Sequence, residues 1–244
     1  MIRRFLFTAS LLFFSLLPSS CDEIKDLLLT NEEIVAGLKE ALNQGASEAS
    51  GRLGVTDGYL KDAAVKILLP PEARSVVESA IANPLISTLE LKTDLINYTN
   101  DVILKMNRGA EKAAGKAVPI FANAITSMSI SDALNILKGT DTAATGYLRA
   151  STYQPLTSAF SPEINSALEE VGANSSWETL TSFYNNYIAI VTGEDPINTN
   201  LSEYATQKAL DGLFLKVADE EKAIRNDPMK RGSELLKKVF KEQD

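Results

Sequence analysis

The chain has no histidine anywhere in its 244 residues. That removes Ser-His-Asp triads, histidine-bearing zinc sites and the commonest general base. Cysteine is nearly absent too: Cys21 stands alone, so no internal disulfide can form and the core must supply the stability. Glycines are scattered at expected helix ends and build no phosphate-binding loop. The loop Asp195 to Asn200 lacks the glycine and distal glutamate of a calcium site. Lysine and arginine are outnumbered, 24 to 32, by aspartate and glutamate, and the formal charge is −8. Nucleic acid is a poor partner for such a chain, because phosphate binding needs clustered cations. No cofactor and no metal are expected. For catalysis there remain paired carboxylates or a Ser-Lys arrangement, and both residue types are too common here to mark a site.

The N-terminus carries an address. Arg3 and Arg4 precede the apolar run Phe5 to Leu17, which is too short to span a bilayer as a helix. Residues 1–20 read as a signal peptide ending in Leu17-Pro18-Ser19-Ser20 before Cys21. Small residues ahead of a lone cysteine match a lipoprotein cleavage site, although Pro18 stands where leucine is usual. Lipidation of Cys21 is the favoured reading; plain cleavage leaving a free exported thiol is the alternative. Removing residues 1–20 takes away two arginines and no acids, which moves the formal charge from −8 to −10. Residues 21–29 form a tether, and 30–244 a single helical domain. The membrane is the expected partner through the anchor, and the location is the cell envelope.

The architecture is written most clearly between Lys105 and Arg149. Met106, Ala110, Ala113, Ala117, Phe121, Ala124 and Met128 recur at three- and four-residue steps, one stripe of a long central helix. Three successive alanines in that stripe, Ala110, Ala113 and Ala117, invite close approach by a neighbour. Pro119 has no N–H and crowds the Gly115 carbonyl, which predicts a kink rather than a stop. On another face Asn107, Arg108, Glu111, Lys112 and Lys116 alternate in sign, as a solvated face does.

Helix starts are marked elsewhere. Thr30 with Glu33 and Ser129 with Asp132 have capping-box spacing, and Thr140-Asp141 reads as the cap of the helix through Thr145 and Leu148. Ser161-Pro162 reads as another start, with an end near Gly172. Val65, Ile67 and Leu69 alternate up to Pro70-Pro71, an extended connector rather than a sheet strand. A helix is expected over Pro71 to Ala82, with Asn83-Pro84 breaking it. Leu201 to Arg225 is a second long helix, and Asp227-Pro228 restarts the chain toward Phe240. The whole is all-α: one multi-helix domain with a long central kinked helix and short extended connectors. Asn97 and Asn174 match glycosylation acceptors and read as helix and turn residues.

The blocks MNRGAEKAAGKAVPIF, MSISDALNILKG, DTAATGYLR, KALDGLF, EEKAIRNDP and LLKKVF, in that order, resemble the bacterial family called domain of unknown function 4197. The resemblance runs from about Leu38 to Phe240. It implies exported helical proteins, often lipoproteins, with no established activity.

Within these blocks a polar constellation stands out: Asn107, Arg108, Glu111, Asp132, Asp141, Thr145, Arg149, Glu221, Arg225 and Asp227. It is either a converging network that contacts a ligand head group, or a set of caps and ion pairs. Caps at Asp132, Asp141 and Asp227 would each contribute about 1 kcal/mol, and Glu221 and Arg225 are one helical turn apart. Phe121, Tyr147, Phe160, Trp177 and Tyr184 are candidates to line a site for an apolar or amphipathic small molecule, against ordinary core packing. A non-enzymatic binding module is the leading expectation. A structural protein docking an envelope partner is the second, and an enzyme working through carboxylates the third.

Overall fold

Thr30 opens the first helix as its spacing predicts. Its hydroxyl accepts the Glu33 N–H at 3.2 Å, and the Glu33 carboxylate accepts the Thr30 N–H at 2.8 Å. Two amides that a helix start leaves open are thereby paired. This is α1 (Asn31–Leu53), followed by α2 (Pro71–Ala82), α3 (Leu91–Ala114), α4 (Ala117–Thr126), α5 (Ile130–Leu137), α6 (Ala143–Glu169), α7 (Ala173–Phe183), α8 (Leu201–Asn226) and α9 (Glu234–Phe240). A 3₁₀ turn, Pro228–Lys230, joins the last two. The computed structural model describes residues 29–82, 91–170, 172–183, 185–186 and 195–241. Among these residues there is no strand, and the fold is an all-α single domain. The expected signal peptide, Cys21, the Asn83-Pro84 break and Tyr184 lie outside the described residues. No single helix among those described is long and apolar enough to cross a membrane.

α3 packs along α6, α6 along α8 and α8 along α1, and α1 also covers α4, α5 and α9. Met106, Ala110, Ala113, Ala117 and Phe121 are completely buried, Met128 nearly so, and Ala124 half-buried. The close approach that the alanines invite is tightest at Gly109, where a Cβ would stand 2.8 Å from the Ile164 Cα of α6. Backbone meets backbone there, which only glycine permits. Phe121 then meets Phe214 of α8 edge to face at 5.9 Å.

Helical bonding is interrupted at Gly115 and Lys116, between α3 and α4. Pro119 cannot donate to the Gly115 carbonyl, so the ladder opens at the residue the proline leaves unpaired. Beyond Thr126 the chain bends by 107° into α5, which begins with the Ser129/Asp132 capping box.

Pro162 does not start a helix. It lies with Pro155 inside the continuous α6. The two prolines are seven residues apart and exposed, so they share a solvent face, as do Ser151 and Ser158, whose carbonyls lose their N–H donors. Interior proline costs about 3 kcal/mol. The opposite face buries Leu156, Phe160 and Ile164 completely, at about 1.5–3 kcal/mol each. Burial wins, and the helix continues to Glu169, with Gly172 at φ +66° just beyond.

Candidate functional site

The polar constellation resolves into two networks and four separate residues. In the first network, Asn107 is fully buried on α3. Its amide accepts the Ile67 N–H at 2.9 Å and donates to the Ile67 C=O at 2.9 Å. The extended connector is held as a neighbouring strand would hold it. One turn on, the buried Glu111 accepts the Tyr59 N–H at 3.2 Å, the Leu60 N–H at 3.3 Å and Arg108 at 2.5 Å. Arg108 also pairs with Asp57 at 2.7 Å. Asp57 is the one non-glycine among the described residues with positive φ, 71°. Lys61 and then Arg108 hold its carboxyl below the usual aspartate range. At the adjacent Gly58 a Cβ would meet the Arg52 carbonyl oxygen at 2.5 Å. The solvated-face reading therefore fails for Asn107 and Glu111 and holds for Lys112 and Lys116, which are exposed.

Glu221 and Arg225 form the second network, and both are buried. Glu221 accepts the Ala144 N–H at 3.0 Å, the Thr145 N–H at 2.8 Å and the Thr145 hydroxyl at 2.8 Å. It is the cap of α6. Asp141, expected in that role, is exposed, and no side chain of the local sequence caps the helix at Thr142. Arg225 bonds Glu221 at 3.0 Å and donates to the carbonyls of Ile136 at 2.8 Å and Leu137 at 3.2 Å, the end of α5.

The remaining members stand apart. Asp132 caps α5 and Asp227 caps the 3₁₀ turn, as their positions suggest. Arg149 is exposed, pairs with Asp211 at 2.9 Å and covers the rings of Tyr153 and Phe214.

Of the candidate apolar lining, Phe121 and Phe160 are fully buried core, Tyr147 is half-buried, and Trp177 is buried with its indole N–H on the Thr199 carbonyl at 2.8 Å. A void of about 20 Å³ lies between α1 and α8 beside Glu221, Arg225 and Phe240. It has room for roughly one water, and none of the candidate lining residues borders it.

Three features escaped the sequence reading. Asn185 clamps Ile197 just as Asn107 clamps Ile67, at 2.7 and 2.8 Å. Arg231 is buried and donates to the Ile224 and Arg225 carbonyls at the end of α8, with its guanidinium 5.9 Å from the Phe240 ring centre. Glu220 is buried on α8, bonded to Arg52 at 2.6 Å, and pushed above the usual glutamate range by burial and by the neighbouring Glu48. Glu220 depends on a residue distant in sequence, and Asn185 and Arg231 bond backbone groups 6 to 12 positions away at spacings that no helix or cap pattern signals.

An open groove of about 660 Å³ lies between α6 and the first turns of α8. Tyr153, Gln154, Thr157, Ser161 and Asn165 form one wall, and Asn200, Ser202, Glu203, Thr206 and Gln207 the other. Asn165, Asn200 and Ser202 also border an adjoining hollow of about 340 Å³ that reaches Asn174 and Trp177. Neither wall set contains a lysine or an arginine.

The family model described as "Protein of unknown function (DUF4197)" matches residues 28–241, and the chain belongs to that family. No curated protein and no solved structure matches the chain.

The Glu221–Arg225 network makes a definite mutational prediction. Glu221→Leu and Arg225→Leu should each cost about 3–5 kcal/mol, because each strands the other charge in the interior. The double variant should cost less than the sum by about 0.5–3 kcal/mol, read by urea denaturation. Strict additivity would mean the two residues act independently.

Glu220 predicts a pH effect. Its folded pKa lies above the ordinary 4.5, so just above pH 4.5 the folded protein keeps a proton that the unfolded chain has released. Stability should fall as pH rises through that window. Asp57 and Asp62, held low by their cations, act oppositely and lose their contribution only on acidification below the usual 3.8. Glu220→Gln should flatten the upper limb and leave the acid limb, as followed by thermal melts across pH. An unchanged upper limb would contradict the assignment.

Proposed function

We propose that this family member is an exported, lipid-anchored, non-enzymatic binding module that holds a neutral, hydroxyl-rich ligand in the groove between α6 and α8. The groove lining carries the proposal. Its walls offer hydroxyls and carboxamides with no cation, a chemistry suited to sugars and their acetamido groups rather than to phosphates or nucleic acid. The hydroxyls of Thr157 and Ser161 donate to their own helix carbonyls, each at 2.9 Å, which leaves their oxygens as acceptors facing a ligand. The apolar-ligand reading has less support, since Phe121 and Phe160 are packed as core and the void beside Phe240 has room for roughly one water.

The non-enzymatic reading draws on how the buried charges are used. Glu111, Glu220, Glu221, Arg225 and Arg231 are each engaged by backbone or opposite charge, Glu220 through Arg52, as structural ion pairs are. Arg3, Arg4, the run to Leu17 and the solitary Cys21 support export and anchoring.

Cys21→Ser should move the protein from the membrane fraction to the soluble fraction and abolish labelling by radioactive palmitate; membrane retention of the variant would refute the anchor. For the groove, titration with soluble N-acetylglucosamine oligomers should give saturable binding. The pair Asn165→Ala and Gln207→Ala should weaken it at least tenfold while the far-ultraviolet circular dichroism stays unchanged. Equal affinity in that variant, or no binding to the parent, would reject the groove as a glycan site.

A further inference from the structure

Residues 66–70, neither helix nor strand, pass between α3 and α8, and the Leu69 C=O accepts the Tyr204 hydroxyl of α8 at 3.4 Å. In a trans peptide the C=O and the N–H point in opposite directions. Ile67 turns both of its groups onto Asn107 of α3. The Lys66 C=O and the Leu68 N–H therefore face away from α3, and with the Leu68 C=O they pair with no protein group among the described residues. On that side lies an open groove of about 280 Å³, walled by residues 64–68 and by Tyr204, Lys208, Gly212 and Leu215 of α8. Asn107 is not part of it.

Two further properties define what would fit. Leu68 and Leu215 are 38% and 42% exposed, unusual for large apolar side chains flanking one groove. Lys66 and Arg74 are exposed there without an ion pair among the described residues. Lys208 shares Asp211 with Arg149, at 3.5 and 2.9 Å. Three cations against one acid border this groove in a chain whose formal charge is −8.

We propose that this groove docks an extended acidic segment of a partner protein by strand addition. The partner's backbone bonds the free edge at Lys66 and Leu68, its apolar side chains contact Leu68 and Leu215, and its carboxylates pair with Lys66 and Arg74. The face is separate from the groove between α6 and α8, so either proposal can fail without the other.

The test uses purified full-length protein and a short fluorescein-labelled peptide alternating valine with glutamate, followed by fluorescence anisotropy. Saturable binding is expected. It should weaken at least tenfold when alternate peptide amides are N-methylated, when lysine replaces glutamate in the peptide, and in the surface variant Lys66→Glu with Arg74→Glu. Leu68→Pro, which removes the edge N–H, should weaken it as well, with unchanged helical circular dichroism confirming the fold. Absence of saturable binding overturns the proposal. So does binding that ignores N-methylation, since that outcome is charge attraction without strand addition.

Discussion

One ion pair on α8 lies between two helix ends of opposite polarity. A buried salt bridge is usually near break-even, because desolvating two charges costs about what their attraction returns. Here each charge also takes the position that a helix dipole favours. Glu221 faces the N-terminal amides of α6, and Arg225 faces the C-terminal carbonyls of α5. The hydrogen bonds that compensate each ion are the ones those helix ends lack. Arg231 repeats the device at the end of α8, and the Phe240 ring lies 5.9 Å from both guanidinium centres. Helices α5, α6, α8 and α9 thereby meet at one point.

Much of this was legible wherever cause and effect sit close in sequence. The boxes at Thr30 and Ser129, the Asp227 turn, the alanine stripe and the bounds of α2 and α8 are local patterns. The failures share a physical origin. Asp141 occupies a cap position, yet the α6 amides are taken by a carboxylate 76 and 77 residues away. Pro162 looks like a helix start, yet a buried face on the other side of α6 outweighs it. Asn107 and Glu111 look like surface residues in a charge-alternating helix. They are interior because an irregular segment needs partners for its own peptide groups. The family was legible from its blocks, whereas the grooves arise only when α6, α8 and the connectors are assembled.

Those connectors explain where the concave surfaces are. Residues 66–70 and 195–200 are neither helix nor strand. A non-helical segment against a bundle leaves peptide groups unpaired, and one carboxamide pairs both groups of a single residue in each: Asn107 at Ile67 and Asn185 at Ile197. Secured at one point, each segment stands slightly off the neighbouring helix and leaves a hollow beside it. The bundle contributes rigidity, and the clamped segments shape its recognition faces.

The order in which the chain is made acquires significance from the α8 networks. Synthesis delivers α5 and α6 first, and the side chains that close their ends arrive 76 to 89 positions later. Until α8 emerges, the α6 amides and α5 carbonyls have only water as partner. Two helix ends made early are therefore closed only by contacts of long sequence separation, which form late in folding. A keystone placed near the end of the sequence makes the closing of both helix ends a single late, long-range event rather than a series of local ones.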